Sequence, residues 1–513
     1  MSNKMVLKDP KKLREEWMIN PFFDYLSDKS ERLRHRYLIK LMQGPTGFGK
    51  TFSTTNVYIP HLFQNGVELV IYTAPNVENI DKDSFVDAGQ SHGYFFTRSV
   101  DEAFRWLKQE KKVVVGLTHS SLCNTQGKCL VYRQQLIDFG HKSALFIEEC
   151  HSWLGVTEQQ WYEEVIGHNT EKFGGSAYKF SSSILEKTDL VFGITATPTK
   201  QHRGVVGDGC FHFLNDLCPV NERPLLTKWG KNYIEYPGYV TEKYNGKDRI
   251  VIDRQKCEEI FENYVINHHI SNIKKLEELR RIDYNVVSKL SSLIMCGGNN
   301  NNRLSIHVND AVEMLSSILY NNGYSPACQW ISIMTHTKKG FYNLEGDFTS
   351  ASEDDILECL KNKESDCQFL LVNNKAKAGI NVFNLTGICS LRIRDPKTTN
   401  CTELSRQIIG RATRMNSGHG NILAKKYEYD MQKMCMNYCN DYDVDPKIFY
   451  EVLSIANTFE FHYPSTPGGH WELTVEEFDK YYTASWDKVK DIVHSLVTLS
   501  EICDDRSVKS LFE

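Results

Sequence analysis

Short apolar runs alternate with polar or amphipathic segments along roughly the first 200 residues, a pattern that predicts strands and helices in turn. Tyr37–Met42, Glu68–Thr73, Lys112–Leu117, Ala144–Glu148 and Leu190–Thr195 read as strands. Ser99–Glu110 and Gln126–Phe139 read as helices between them. Strands that alternate with helices predict an α/β domain. From residue 201 to 285 the pattern changes. Gly207–Cys210, Trp229–Gly230 and Tyr236–Tyr239 read as loops and short strands, and Arg254–Arg281 is charged and helical in period. A second α/β pattern opens at Lys289–Cys296 and continues through Trp330–Thr335, Phe369–Val372 and Gly387–Arg392. Beyond Asn421 the pattern is mostly helical.

Composition narrows the class without naming a task. A chain of 513 residues is too long for one core, so more than one domain is expected. Hydrophobic residues at 41% and charged residues at 24% are ordinary for a soluble globular protein. A net charge of −5 argues against a highly basic coat for nucleic acid. It leaves open a groove in which a few basic side chains and backbone amides hold phosphates. The 15 cysteines are scattered, and Cys435 and Cys439 form the closest pair with no partner at zinc-ligand spacing. Reduced thiols are expected. No apolar run reaches bilayer length, and residues Met1–Pro10 carry no signal core. A cytoplasmic or nucleoplasmic location, with no membrane partner, is the default expectation.

The chemistry starts at Gly44-Pro-Thr46-Gly47-Phe-Gly49-Lys50-Thr51, which fits the phosphate-binding pattern Gly-x-x-x-x-Gly-Lys-Thr. Glycines let backbone N–H groups close around phosphate oxygens with no Cβ in the way. Lys50 suits the β- and γ-phosphates, and Thr51 suits Mg²⁺. A strand before the loop and a helix after it would aim a helix N-terminus at the phosphates. About 100 residues on, the apolar run Ser143–Ile147 ends in Glu148 and Glu149, followed by Cys150 and His151. The first carboxylate suits Mg²⁺, through water, and the second suits a general base. A strand followed by a solvated acidic turn has the same pattern, and the upstream loop favours the catalytic reading. Gly193-Ile-Thr195-Ala-Thr197-Pro-Thr199 reads either as a hydroxyl-rich link between two sites or as a plain turn. In Ser405–Arg414, Gln407, Gly410, Arg411 and Arg414 share one helical face, and Ile408 and Ile409 are expected to bury the helix. Two guanidiniums on one face suit a phosphoryl transition state; a solvated basic helix surface is the alternative.

Taken in order, GPTGFGKT, EECH, TATPT, AGIN and QIIGRATR resemble the motor core of superfamily 2 DExH-type helicases and translocases. The set is most similar to the motor of type III restriction enzymes and its phage and viral relatives. The resemblance spans Arg34 to Met415. It implies two tandem RecA-like domains with parallel sheets, with ATP and Mg²⁺ between them, plus a linker or accessory segment and a helical C-terminal region. The corresponding boundaries are 1–200, 201–285, 286–425 and 426–513. Gly44, Thr46, Gly47, Gly49, Lys50 and Thr51 match the family's first motif, and Glu148, Glu149 and His151 its second. Thr195 and Thr197 match the motif that couples hydrolysis to nucleic-acid grip. Ala378-Gly379-Ile380-Asn381 is similar to the fifth motif, which implies Gly379 near the ribose and Asn381 in coupling. Gln407, Arg411 and Arg414 match the sixth. Pro75, Asn76 and Thr118 sit where the family contacts the nucleic-acid backbone.

Glu148 stands where the family usually has Asp, and no glutamine-based adenine-reading motif precedes Gly44. Phe22 and Phe23 read as base-stacking or, more simply, as core. Trp471, Tyr481, Tyr482 and Trp486 carry the same pair of readings. Asp248, Asp253 and Lys256 come nearest to a nuclease half-site, at poor spacing. The expectation is an ATP-dependent helicase or translocase with DNA weakly favoured over RNA. Two alternatives stay open: a motor subunit whose nuclease or transcription partner supplies the output, and a weakly hydrolysing scaffold.

Overall fold

The structure is a computed structural model. It describes residues 9–45, 47–75, 77, 80, 82–124, 126–150, 180–181, 183–196, 211–216, 218, 230–281, 290–297, 303–335, 337–362, 364–373, 385–393, 409, 430–443, 455 and 458–465. The chain divides into two compact units. One is Pro10–Cys218, and the other is Pro219–Glu513 with Met1–Asp9.

The first unit is built on seven parallel strands: β1 (Ile39–Gln43), β2 (Leu69–Ala74), β3 (Phe95–Thr97), β4 (Val113–Thr118), β5 (Ser143–Glu148), β6 (Val191–Thr195) and β7 (Phe211–Phe213). Their order is β3-β4-β2-β5-β6-β1-β7. Every pairing in it is parallel. Strands β1, β2, β5 and β6 are buried at every position, so both faces of the sheet are covered. Such strands read as continuous apolar runs, which is why the sequence revealed them. Helices such as Val100–Leu107 and Gly127–Asp138 bury Val100, Ala103 and Leu136 in a core with Leu41, Leu69, Ile71, Leu145 and Ile147. Ser99 starts the former helix by accepting from the Glu102 N–H.

The position of β6 matters most. It lies between β1, which feeds the glycine-rich loop, and β5, which ends in the acidic pair. This is the RecA-like arrangement expected.

The second unit carries an eight-stranded sheet of order β14-β13-β12-β15-β11-β16-β17-β8 and a separate two-stranded ribbon. Its strands are β8 (Gly230–Tyr236), β11 (Ser291–Met295), β12 (Ile331–Met334), β13 (Lys339–Tyr342), β14 (Phe348–Ser350), β15 (Phe369–Val372), β16 (Leu385–Ser390) and β17 (Thr458–Pro464). The ribbon pairs β9 (Tyr239–Tyr244) with β10 (Lys247–Ile252). The six strands from β12 to β8 are parallel, whereas β12, β13 and β14 pair antiparallel. The second sheet is therefore mixed where an all-parallel one was expected.

Three strands extend the two sheets beyond the two α/β patterns read from sequence. Gly230–Tyr236 joins the second sheet, and Phe211–Phe213 joins the first, so the described part of 201–285 is shared between the units. Thr458–Pro464 is a strand inside a region read as mostly helical, and among the described residues there Met431–Tyr442 is a helix. No described helix is long and apolar enough to cross a membrane. The weak nuclease candidate has a structural explanation. Asp253 caps the helix Arg254–Asn263 by accepting from the Lys256 N–H, and the Lys256 ammonium pairs with Glu259.

Candidate functional site

Because all seven strands of the first sheet run the same way, their C-terminal ends share one edge. Ligands of open α/β sheets bind at that edge. Gln43 ends β1 and Gly44 follows it, Pro75 follows β2, Thr118 ends β4, Glu148 ends β5 and Glu149 follows it, and Thr195 ends β6. Residues up to 152 positions apart in the chain thus meet on one side of a rigid sheet.

The glycine-rich loop is tied to this edge by its backbone. The Gly44 N–H donates to the Thr195 carbonyl at 3.1 Å. Gly47 and Gly49 have φ of +81° and +79°, which side chains rarely adopt. A Cβ on Gly49 would also lie 3.0 Å from the Arg14 guanidinium carbon. Gly49 then becomes the N-cap of the helix Lys50–Ser53, which continues through a π-helical turn, Thr54–Tyr58, into Ile59–Gln64. The Lys50 ammonium donates to the carbonyls of Gly44 and Pro45, each at 3.2 Å. It therefore rests over the loop's own acceptors, a position from which phosphate oxygens would draw it.

Two residues outside the sequence motifs hold this loop. Arg14 donates from Nε to the Phe48 carbonyl at 3.1 Å, and its guanidinium sits 5.0 Å from the Phe52 ring centre. Asn215, just after β7, accepts from the Gln43 N–H at 3.0 Å and donates to the carbonyls of Gln43 at 2.6 Å and Trp17 at 2.8 Å. This buried amide fixes the last residue of β1, and so the start of the loop. No short-range signal marks either residue, because their partners lie 34 and 172 or more positions away.

The acidic pair is split between two environments. Glu148 is 7% exposed, and its Oε2 accepts from the Tyr72 hydroxyl of β2 at 3.1 Å. Glu149 leaves the strand with φ of +48°, a left-handed conformation in a residue that has a side chain. The Thr195 hydroxyl donates to its Oε2 at 3.5 Å, the outer limit of a hydrogen bond. Thr195 thus contacts the glycine-rich loop through its carbonyl and the second carboxylate through its hydroxyl. The donor set fits Mg²⁺, since a threonine hydroxyl and a carboxylate are the hard oxygens that ion prefers. The glycine cradle likewise fits a polyphosphate.

The remaining expected residues divide into two groups. Thr118 caps the helix His119–Cys123, and its hydroxyl also meets those of Ser120 and Ser121 at 3.0 and 2.7 Å. Phe22 packs in the core against Tyr58 and Phe192, with ring centres 4.2 and 5.1 Å apart, and so is no base platform. Phe23 lies 4.7 Å from the His61 ring. Ile409 is buried, as its place between the polar positions of its segment anticipates. Thr46, Asn76, His151, Thr197, Gly379, Asn381, Gln407, Arg411 and Arg414 lie outside the described residues, as do Trp471, Tyr481, Tyr482 and Trp486.

No protein-family model matches the chain, and no curated protein does. Among solved structures it is similar to the helicase Lhr of Mycobacterium smegmatis bound to ssDNA and AMP-PNP, with a TM-score of 0.40 and 11% identity. That match covers 88% of this chain, which spans only 56% of that one. It is also similar to a variant of Dbp5 from S. cerevisiae bound to RNA and ADP BeF3, with a TM-score of 0.38 and 12% identity over 96% of this chain and 98% of that one. Both similarities are distant.

Proposed function

We propose that this chain is an ATP-dependent nucleic-acid helicase or translocase. The observation that carries the reading is Thr195, which joins the glycine-rich loop to the catalytic-base candidate across one parallel sheet edge. ATP binds with its phosphates in the loop. Lys50 exchanges its two carbonyl partners for phosphate oxygens, and the N–H groups that open the following helix face the same anion. Thr51, and Glu148 through water, would hold Mg²⁺, which would supply charge neutralisation on the phosphates. Glu149 takes the proton of the attacking water. The loss of the γ-phosphate is felt by Thr195, through Glu149 on one side and Gly44 on the other, and this link makes hydrolysis a mechanical event. Gln407, Arg411 and Arg414 are proposed to stabilise the transition state, with His151, Thr197, Gly379 and Asn381 in coupling and nucleotide contact. Pro75, Asn76 and Thr118 are proposed to touch the nucleic-acid backbone, which predicts low sequence selectivity.

One observation favours a second reading, a scaffold that hydrolyses little. Glu148 is one methylene longer than the usual Asp, and Tyr72 already occupies one of its oxygens. ATP hydrolysis by the full chain separates the two. It is measured alone and with single- and double-stranded DNA and RNA at one fixed low salt. A motor is stimulated by one of these polymers, and Lys50→Ala abolishes the turnover while the protein stays folded. Undiminished hydrolysis by Lys50→Ala refutes the site. Absence of hydrolysis with every polymer transfers the assignment to the scaffold, or to a motor that needs a partner protein; adding a co-purified partner tells these two apart.

A further inference from the structure

On the first unit, Glu31, His35 and His212 bring three ligand-type atoms within 4.8 Å of one another. Glu31 and His35 are one helical turn apart, at the end of the helix Lys29–Arg34, where His35 is the C-cap. His212 comes from β7, in register with Lys40 of β1. The two imidazole rings stack almost parallel, with centres 3.7 Å apart and planes 5° apart. Both Nε2 atoms face the same carboxylate oxygen, Glu31 Oε1, at 3.1 and 3.2 Å. Two ring nitrogens converging on one oxygen is an unusual way to satisfy histidines, since each ring has solvent within reach.

A tetrahedral zinc ion with ligand bonds of about 2.0–2.2 Å holds its ligand atoms about 3.3–3.6 Å apart. The two nitrogen–oxygen separations fall just short of that spacing, and binding requires the two rings to turn out of their near-parallel stack so that both lone pairs point at one ion. All three side chains are part-buried, with exposures of 34%, 18% and 22% for Glu31, His35 and His212, so an ion can reach them. Imidazole with carboxylate suits zinc, and the cluster contains no thiolate that would select a softer metal.

We propose that Glu31, His35 and His212 form a binding site for a divalent transition-metal ion of the zinc type, with water as the fourth ligand. Its role is structural. The ion clasps the segment that leads into β1 to the neighbouring strand β7. At the other end of the same strands, Asn215 holds Gln43 at the start of the phosphate loop.

The test uses the full chain, stripped with a chelator and kept in excess Mg²⁺ so that hard-oxygen sites are filled. Zn²⁺ is titrated by calorimetry and Co²⁺ by absorption. The expected result is one Zn²⁺ per chain, a rise in melting temperature on adding it, and the visible bands of four-coordinate cobalt without a thiolate charge-transfer band. The double variant His35→Ala/His212→Ala loses this binding by about 100-fold or more, and Glu31→Gln weakens it by about 10-fold or more, as removing one ligand of three requires. Far-UV circular dichroism and the metal-free melting temperature check that the variants fold; should the double variant not fold, Glu31→Gln alone carries the comparison. Absence of saturable Zn²⁺ binding by the wild type overturns the proposal. So does binding that persists unchanged in the variants, or a cobalt spectrum that reports thiolates.

Discussion

Replacing Glu149 with glycine is expected to stabilise the first unit while destroying its proposed activity. The left-handed region costs a residue with a side chain about 1–2 kcal/mol. Glu149 sits there at φ +48°. Glycine removes that cost but returns about 0.5–1 kcal/mol through the greater freedom of its unfolded chain. The lost contact with Thr195, at 3.5 Å, is too long to add much. The net expectation is a gain of about 0.5–1 kcal/mol. For a unit of roughly 200 residues this raises the melting temperature by about 1–4 °C. Glu149→Gln is the control, because it keeps the backbone cost and removes only the base. Differential scanning calorimetry of the full chain, read at the transition that nucleotide binding shifts, gives the stabilities. ATP hydrolysis gives the function. The prediction is that both variants lose turnover, whereas only Glu149→Gly melts later than wild type. If Glu149→Gly melts no later than Glu149→Gln, the strain is not there. If either variant hydrolyses ATP at the wild-type rate, Glu149 is not the base.

Gly49→Ala attacks the loop instead of the base. Its Cβ meets Arg14 at 3.0 Å in a backbone already at φ +79°, so the loop must shift. Binding of a fluorescent ATP analogue should weaken by at least about 10-fold, with a stability loss of about 1–2 kcal/mol, and unchanged nucleotide affinity would refute the cradle geometry. Lys40, fully buried on β1, has its pKa lowered by burial from 10.5 to about 7, against the pull of Asp189. Here the folded pKa lies below the unfolded one, so the unfolded chain binds more protons between pH 7 and 10.5, and stability rises with pH across that window. Relative to Lys40→Met, the wild type should therefore gain about 1 kcal/mol per pH unit in urea unfolding from pH 7.5 to 9.5. A flat or falling difference would show that the ammonium is not desolvated.

The place of the candidate site was legible in the sequence because it sits where buried strands end. β1, β2, β5 and β6 are buried throughout and mostly apolar, and the candidate site residues stand where these runs end. What was illegible depends on partners far along the chain. β17 carries Glu460 and His462 beside Phe459 and Phe461, and the mixture does not read as the interior of a sheet. It is interior because His268, 192 residues earlier, reaches Glu460 at 3.3 Å while His462 meets the other oxygen. Burial alone would raise the pKa of Glu460, but hydrogen bonds from both histidines outweigh it and hold the carboxyl well below its usual range. A buried carboxylate is tolerable only with such partners, so removing His268 would make this strand costly in the position it holds. The same logic governs the phosphate loop. The residue types of the motif name the chemistry, but Arg14 and Asn215, contributed from before β1 and after β7, fix where the loop begins and how it turns. The glycines supply the freedom to bend, and these distant side chains select one bend from it.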